Sequence, residues 1–403
     1  MAKKTDILIW GFVLMAMHTL IANFYLPKMQ GTTTVFFLLL LVIYFTTPNK
    51  GWLTRERSTE SSIYLVGILV IYSITTFFNL CPPVLLQLFC LMYAVFFLRI
   101  SYELQVCIIK CFVWVLAILL ACSVVEYAIY ETTGWGIVLG QTTRVTTVRE
   151  SYFTNLIFNL ISTDHGEARF QSIAVEPGRI GTLCGMLLFL TWRVQSLRIP
   201  FIIFVISGII SFSLAFYVLL GMFLITHFRI SLKKIIIGIA VIGSTIYVTY
   251  DRFQEMIVER VMADGEMEDI EDIDNRTTMA FDKYFNLAFK NGQLWLGVGA
   301  YNLPKQIDIE SRGGNAGAKK WIFQYGIVAL AVLFITFNKV FLCRLRRKPD
   351  IKDYGFLIAY WLSFYQRSDI IPPYFIIVFM AIPIIDIIEE YDNQITIWGT
   401  KKK

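Results

Sequence analysis

Arg169 and Glu176 bracket a short stretch, Arg169-Phe-Gln-Ser-Ile-Ala-Val-Glu176-Pro177-Gly-Arg179, which ends where a long apolar run begins. Charge at the mouth of an apolar span is costly. A charged group at a helix centre costs roughly 2.5–3.5 kcal/mol on insertion scales, and near the interface such groups take a partner or face a cavity. Pro177 fits the first turn of a helix, where its missing N–H leaves no bond unmade. The residue before a proline is steered to extended backbone, which places Glu176 just outside that helix. A helix start presents unpaired N–H groups and a positive dipole end, so with Arg169 and Arg179 beside it the site suits a phosphate or diphosphate. Glu176 supplies a carboxylate that can take a proton from a hydroxyl, with a pKa that partial burial raises. The same residues also fit a structural reading: Glu176 caps the helix and pairs with an arginine to fix the loop, and Arg179 snorkels to lipid headgroups.

Further along, Arg276 opens a segment in which Met279, Tyr284, Phe285, Ala288 and Phe289 recur at roughly helical spacing. That pattern predicts an amphipathic helix at an interface, or one face of a packed core. Trp295-Leu-Gly297-Val-Gly299 reads as a tight turn whose glycines admit close backbone approach. Arg312-Gly-Gly-Asn315 precedes another span, and Arg367 lies beside Asp369. Guanidinium groups are permanently charged and bidentate, so Arg169, Arg276 and Arg367 can neutralise a departing diphosphate. An Arg367–Asp369 structural pair is the alternative. His165 sits near Arg169 as a second candidate base. The acidic run from Glu255 to Asp274 lacks the glycine and spaced ligands of a calcium loop. Cys107 and Cys111 share a helix face, but no further Cys or His completes a metal set. Neither a metal nor a cofactor is expected.

The elements that must position these groups follow from composition. The chain is 56% hydrophobic and 15% aromatic, with a mean hydropathy of +0.61, which predicts an all-α polytopic membrane protein. The net charge of +6 is spread over short loops and forms no continuous patch, so no nucleic-acid partner is expected. Apolar runs predict spans near 7–24, 32–47, 62–79, 84–98, 107–130, 177–192, 199–212, 213–228, 235–250, 321–343, 354–369 and 373–388. Ile199 to Phe228 carries no charge, and as one helix it would run about 45 Å, well beyond a hydrocarbon core of ~30 Å. Two passes with a turn at Ser211-Phe-Ser213 also keep Lys110, Arg193, Arg229 and Arg344 to Lys352 on the side of Lys3, Lys4 and Lys401 to Lys403, as the positive-inside rule asks. Twelve spans with both termini cytoplasmic result. Residues 1–403 then form one integral membrane domain, with long outer segments at 131–174 and 251–320. Connections that long are functional or irregular, so the chemistry belongs on the outer face.

These features together resemble the bacterial O-antigen polymerase (Wzy-type) family, which is related to the O-antigen ligases. The similarity rests on Arg169-Phe170 and Glu176-Pro177 closing the first long loop, on Arg276, Gly297, Gly299 and a following Asn315 in the second, on Tyr325-Gly326, and on Ser211 and Ser213. It spans roughly residues 165–330. The resemblance implies a GT-C-like helical fold in the inner membrane with a site facing the periplasm. It implies undecaprenyl-diphosphate-linked glycans as donor and acceptor, and metal-independent transfer that builds an O-antigen or capsule. Arg169, Glu176 and Arg276 would be catalytic, with Arg179, Arg367, Gly297, Gly299 and Asn315 binding substrate. A polysaccharide chain-length regulator is a further implied partner. The ligases carry a histidine before the tenth span, where this chain reads Ser311-Arg-Gly-Gly-Asn315, so polymerase is favoured over ligase. A transporter or flippase for lipid-linked sugars is the other alternative, but transporters concentrate charge and broken helices at mid-membrane.

Overall fold

The computed structural model describes residues 2–25, 32–46, 58–79, 85–145, 150–162, 170–174, 176–228, 279–299, 317–366 and 372–400. The described chain is mostly helical. Its helices are α1 (Ala2–Tyr25), α2 (Thr32–Thr46), α3 (Ser58–Asn79), α4 (Leu85–Arg99), α5 (Tyr102–Thr133), α6 (Pro177–Thr191), α7 (Arg198–Ile210) and α8 (Leu214–His227). After these come α9 (Met279–Lys290), α10 (Gly317–Tyr325), α11 (Ile327–Arg344), α12 (Ile351–Gln366), α13 (Pro373–Ala381) and α14 (Ile385–Thr400). Two of them, α5 and α11, are long and apolar enough to cross a membrane. The predicted span at 235–250 lies outside the described residues.

Helix boundaries follow local chemistry. Ser101 caps α5, its hydroxyl accepting the Leu104 N–H at 3.4 Å, and the helix stops at Gly134, which adopts φ 67° and bonds back to Tyr130. A glycine takes that left-handed conformation without a Cβ penalty. The charge-free stretch from Ile199 to Phe228 is indeed two helices, broken by a turn at Ser211 to Ser213. Two features depart from the sequence reading. The predicted span 321–343 is interrupted at Gly326, which separates α10 from α11. The first long segment holds a three-stranded antiparallel sheet, β1 (Gly140–Val145), β2 (Glu150–Asn155) and β3 (Leu160–Ser162), in the order β1-β2-β3. Gly140 pairs with Asn155, and Phe153 with Ser162.

Helix α6 is wholly buried from Ile180 to Thr191 and packs against α7 and α8. The contact with α8 runs through Gly181 and Gly185. A Cβ on Gly185 would stand 2.7 Å from that of Leu219, and one on Gly181 would collide with Ser213. Small residues four apart let two helix backbones approach closely, where dispersion rather than water exclusion holds helices together.

One end of the bundle is ionic. Lys110 of α5 pairs with Asp392 of α14 at 2.6 Å. Arg193, just past α6, reaches Asp386 at 2.7 Å and Glu389 at 2.8 Å. Arg347, after α11, holds Asp353 at 2.6 Å and Asp386 at 3.0 Å. Arg344 is 1% exposed; its guanidinium donates to Glu60 at 3.1 Å, to Gln105 Oε1 at 2.7 Å and to the Met380 carbonyl at 3.2 Å. Among the described residues, Lys110, Arg193, Arg344 and Arg347 thus gather at one end, among carboxylates from α3, α12 and α14. The starts of α6, α8 and α11, the end of α5 and the sheet lie at the other end, since each helix runs away from the ionic cluster or toward it.

Candidate functional site

At that opposite end, Glu176 occupies the N-cap of α6 with extended backbone (φ −146°, ψ 138°), and Pro177 takes the first helical position. The Glu176 carbonyl accepts the Arg179 N–H at 3.0 Å. The carboxylate makes no capping hydrogen bond to the helix start. Arg179 lies on the first turn and is half-buried, as is Glu176.

The surroundings are polar and tightly held. Ser211 and Ser213, from the α7–α8 turn, lie over Gly181, one turn into α6. The Ser211 hydroxyl donates to the Gly208 carbonyl at 2.7 Å. Just before Glu176, the Gln171 side-chain nitrogen and the Ser172 hydroxyl are buried without a hydrogen-bond partner among the described residues. Buried polar atoms left unpaired are uncommon and call for a reason. Ser172 (φ 49°) and Phe212 (φ 46°) are the non-glycine residues at left-handed φ among the described residues. Each conformation costs of order 1–2 kcal/mol and persists only where packing over-determines it. Both flank the start of α6. The Ser172 carbonyl accepts the Leu160 N–H at 3.0 Å, tying this corner to the sheet.

Gly297 and Gly299 form a second cluster at the same end. Both adopt positive φ, 82° and 99°. A Cβ on Gly297 would lie 2.7 Å from the Gly326 nitrogen, and Val298 N–H donates to the Phe323 carbonyl at 2.7 Å. The turn therefore packs main chain to main chain against the α10–α11 break. The absence of a side chain at Gly297 is what permits that contact. The amphipathic segment is helical, as its spacing predicts: Phe281 and Ala288 of α9 pack with Leu294 and Phe323, and Asp282 meets Lys319 at 3.3 Å.

The structure places Glu176 with Arg179, and Gly297 with Gly299, all at one end of the bundle. Arg169, Arg276, Asn315 and Arg367 lie outside the described residues, as does His165. Among the described residues no group of three His, Cys, Asp or Glu side chains could hold a metal ion.

The sequence reading missed Glu126. This α5 residue accepts the backbone N–H groups of Ile157 and Phe158 and the Asn159 amide, each at 2.9 Å. Asn159 also donates to the Ser123 carbonyl at 2.8 Å and accepts the Ser123 hydroxyl at 2.6 Å. A carboxylate inside an apolar helix was the available signal, but its partners are more than thirty residues away. The buried Gln171 and Ser172 sit within the quoted motif and carry no charge to draw attention. Searches of family models, curated proteins and solved structures find no match to this chain.

Proposed function

We propose that this protein is a polytopic membrane glycosyltransferase that polymerises undecaprenyl-diphosphate-linked oligosaccharide repeats into a surface polysaccharide. In this reading twelve spans in a GT-C-like arrangement cross the bacterial inner membrane, and the ionic end faces the cytoplasm. One observation carries it: the described parts of both long segments lie at the end opposite the basic cluster, where the positive-inside rule puts the outer face.

The acceptor's sugar hydroxyl attacks the anomeric carbon of the lipid-linked donor. A new C–O bond forms as the bond to the diphosphate oxygen breaks, and undecaprenyl diphosphate departs. Glu176 takes the hydroxyl proton. The start of α6, with Arg179 and the arginines at 169, 276 and 367, neutralises the diphosphate as its charge grows. One carboxylate fits a single displacement with inversion; a retaining pair would stand about 5–5.5 Å apart.

The test is elongation by purified protein given lipid-linked repeat units. Arg169→Ala, Glu176→Gln and Arg276→Ala are expected to abolish polymer while leaving membrane insertion intact. Full-length polysaccharide from Arg169→Ala refutes that residue's role. Movement of the lipid-linked unit between leaflets without new bonds makes the protein a transporter, and transfer to a lipid A core acceptor makes it a ligase.

A further inference from the structure

Beyond α5 the chain runs from Thr132 to Thr143 without a charge, and its apolar side chains face outward. Trp135 is 63% exposed, Val138 55% and Leu139 59%. This patch is continuous with α5, where Val125 and Ile129 are also exposed. Between them opens a groove of about 450 Å³, lined by Cys122, Val125, Ile129, Trp135 and Phe158, with Glu126 in its wall. An exposed apolar surface of this kind marks an interaction site.

What covers it follows from how its polar groups are spent. Thr132 and Thr133 turn their hydroxyls back onto the carbonyls of Ala128 and Ile129, at 2.8 and 2.7 Å. The Thr133 oxygen in turn accepts the Trp135 N–H at 3.1 Å. Gly134 N–H bonds to Tyr130, and Leu139 N–H to Asn155, both at 2.8 Å. Glu126 has its three donors. Gly136, Ile137 and Val138 make no such bond among the described residues, which fits a segment at the membrane surface, its amides met by headgroups and water, and not one within the hydrocarbon, where lipid demands internal partners. Depth agrees. Counted from Lys110, whose pair with Asp392 marks the ionic end, ~30 Å of hydrocarbon at 1.5 Å per residue reaches about Tyr130. Glu126 then lies below the outer boundary. Tyr130 and Trp135 stand at the level where aromatic residues gather in membrane proteins.

We infer that the segment Trp135 to Leu139 is seated in the outer leaflet as an interfacial anchor, and that the groove beneath it is filled by lipid chains rather than water. The sheet is thereby held against the bilayer beside the start of α6, because Leu160 of β3 bonds to Ser172. The inference rests on the membrane reading of the fold, though not on the reaction proposed above.

A photoreactive benzophenone amino acid placed at position Val138, and separately at Ile118, tests it in intact membranes. Ile118 is 57% exposed midway along α5 and reports whether that helix meets lipid at all. Both positions are surface sites, so folding is undisturbed. Lipid adducts at both positions, identified by mass spectrometry, are the expected result. Adducts at Ile118 with none at Val138 overturn the anchor and leave the spans standing. Adducts at neither position overturn the membrane reading itself.

Discussion

Replacing Gly297 with alanine separates a structural glycine from a ligand-binding one. Three costs are expected. The first is conformational: at φ 82° an L-residue loses about 1–2 kcal/mol relative to glycine. The second is steric. The new Cβ would sit 2.7 Å from Gly326 N and from Tyr325 C, and 2.8 Å from Gln324 O. These are main-chain atoms of a packed helix break, so a backbone must move, and overpacking of this sort costs roughly 1–3 kcal/mol. Opening the turn also strains the Val298–Phe323 hydrogen bond, worth about 1 kcal/mol. The sum is about 3–6 kcal/mol. Gly292 provides the control, because it has φ 70° and nothing within 4 Å of a built Cβ. Gly292→Ala should therefore show the conformational cost alone. Thermal unfolding of the two variants, purified in one detergent, makes the comparison. Equal destabilisation refutes the close-packing argument, and Gly297→Ala that unfolds like wild type but loses polymer-forming activity returns the glycine to the binding site.

Glu126→Ala should destabilise the protein by roughly 3 kcal/mol, because three N–H donors lose their acceptor at about 1–3 kcal/mol for each buried one; thermal unfolding reads this, and an unchanged midpoint refutes it. Glu60→Ala should cost roughly 3 kcal/mol by stranding the buried Arg344 charge, whereas Glu60→Leu combined with Arg344→Met should recover most of the loss. Asp392 tests acid sensitivity. Burial pushes its carboxyl up, but hydrogen bonds from Lys110 and Ser196 outweigh that and hold its pKa below the usual value. Its stabilisation is complete above the unfolded pKa of about 3.9 and is lost as the pH falls through the lower folded value. Wild type should thus be more stable than Asp392→Asn at neutral pH, with the gap closing below about pH 4; a gap that persists in acid contradicts the assignment.

Much of the scaffold was legible because apolar helices announce themselves locally. The break at Ser211 to Ser213 followed from length and loop charge together, since thirty uncharged residues make one helix of about 45 Å and the positive-inside rule favours two passes. Pro177 fixed the start of α6 through its missing N–H, and the grouping of Lys110, Arg193 and Arg344 followed from loop charge. What escaped is non-local or crosses a change of period. The strand Gly140–Val145 is rich in β-branched residues, yet it sits in a segment read as irregular, and its partner Glu150–Asn155 becomes evident only once paired. Gly181 and Gly185 spell a close-packing motif, but their partner helix is not deducible from spacing. Gly326 was visible as part of a motif; that it would break a helix against Gly297 depends on the chain returning there. For the site, the position of Glu176 outside a proline-started helix was readable, whereas the unpaired Gln171 and Ser172 were not, because burial is a property of the fold.

The strain and the packing around α6 bear on each other. A helix start can stabilise a transient diphosphate only if its N–H groups already point where the charge will develop, since reorienting them during reaction would forfeit the gain. Helix α6 is held in place along its whole length. Gly181 and Gly185 lock it against α8, its length is buried on every side, and Arg193 pins its far end to α14. With the helix fixed, the chain entering it and the α7–α8 turn beside it must bend sharply, and they do so at Ser172 and Phe212 in conformations neither residue favours. Were α6 free to shift, relaxing those two residues would be the easier course. Their persistence argues that the position of this helix start is what the surrounding fold holds constant, and the proposed diphosphate site would require just that.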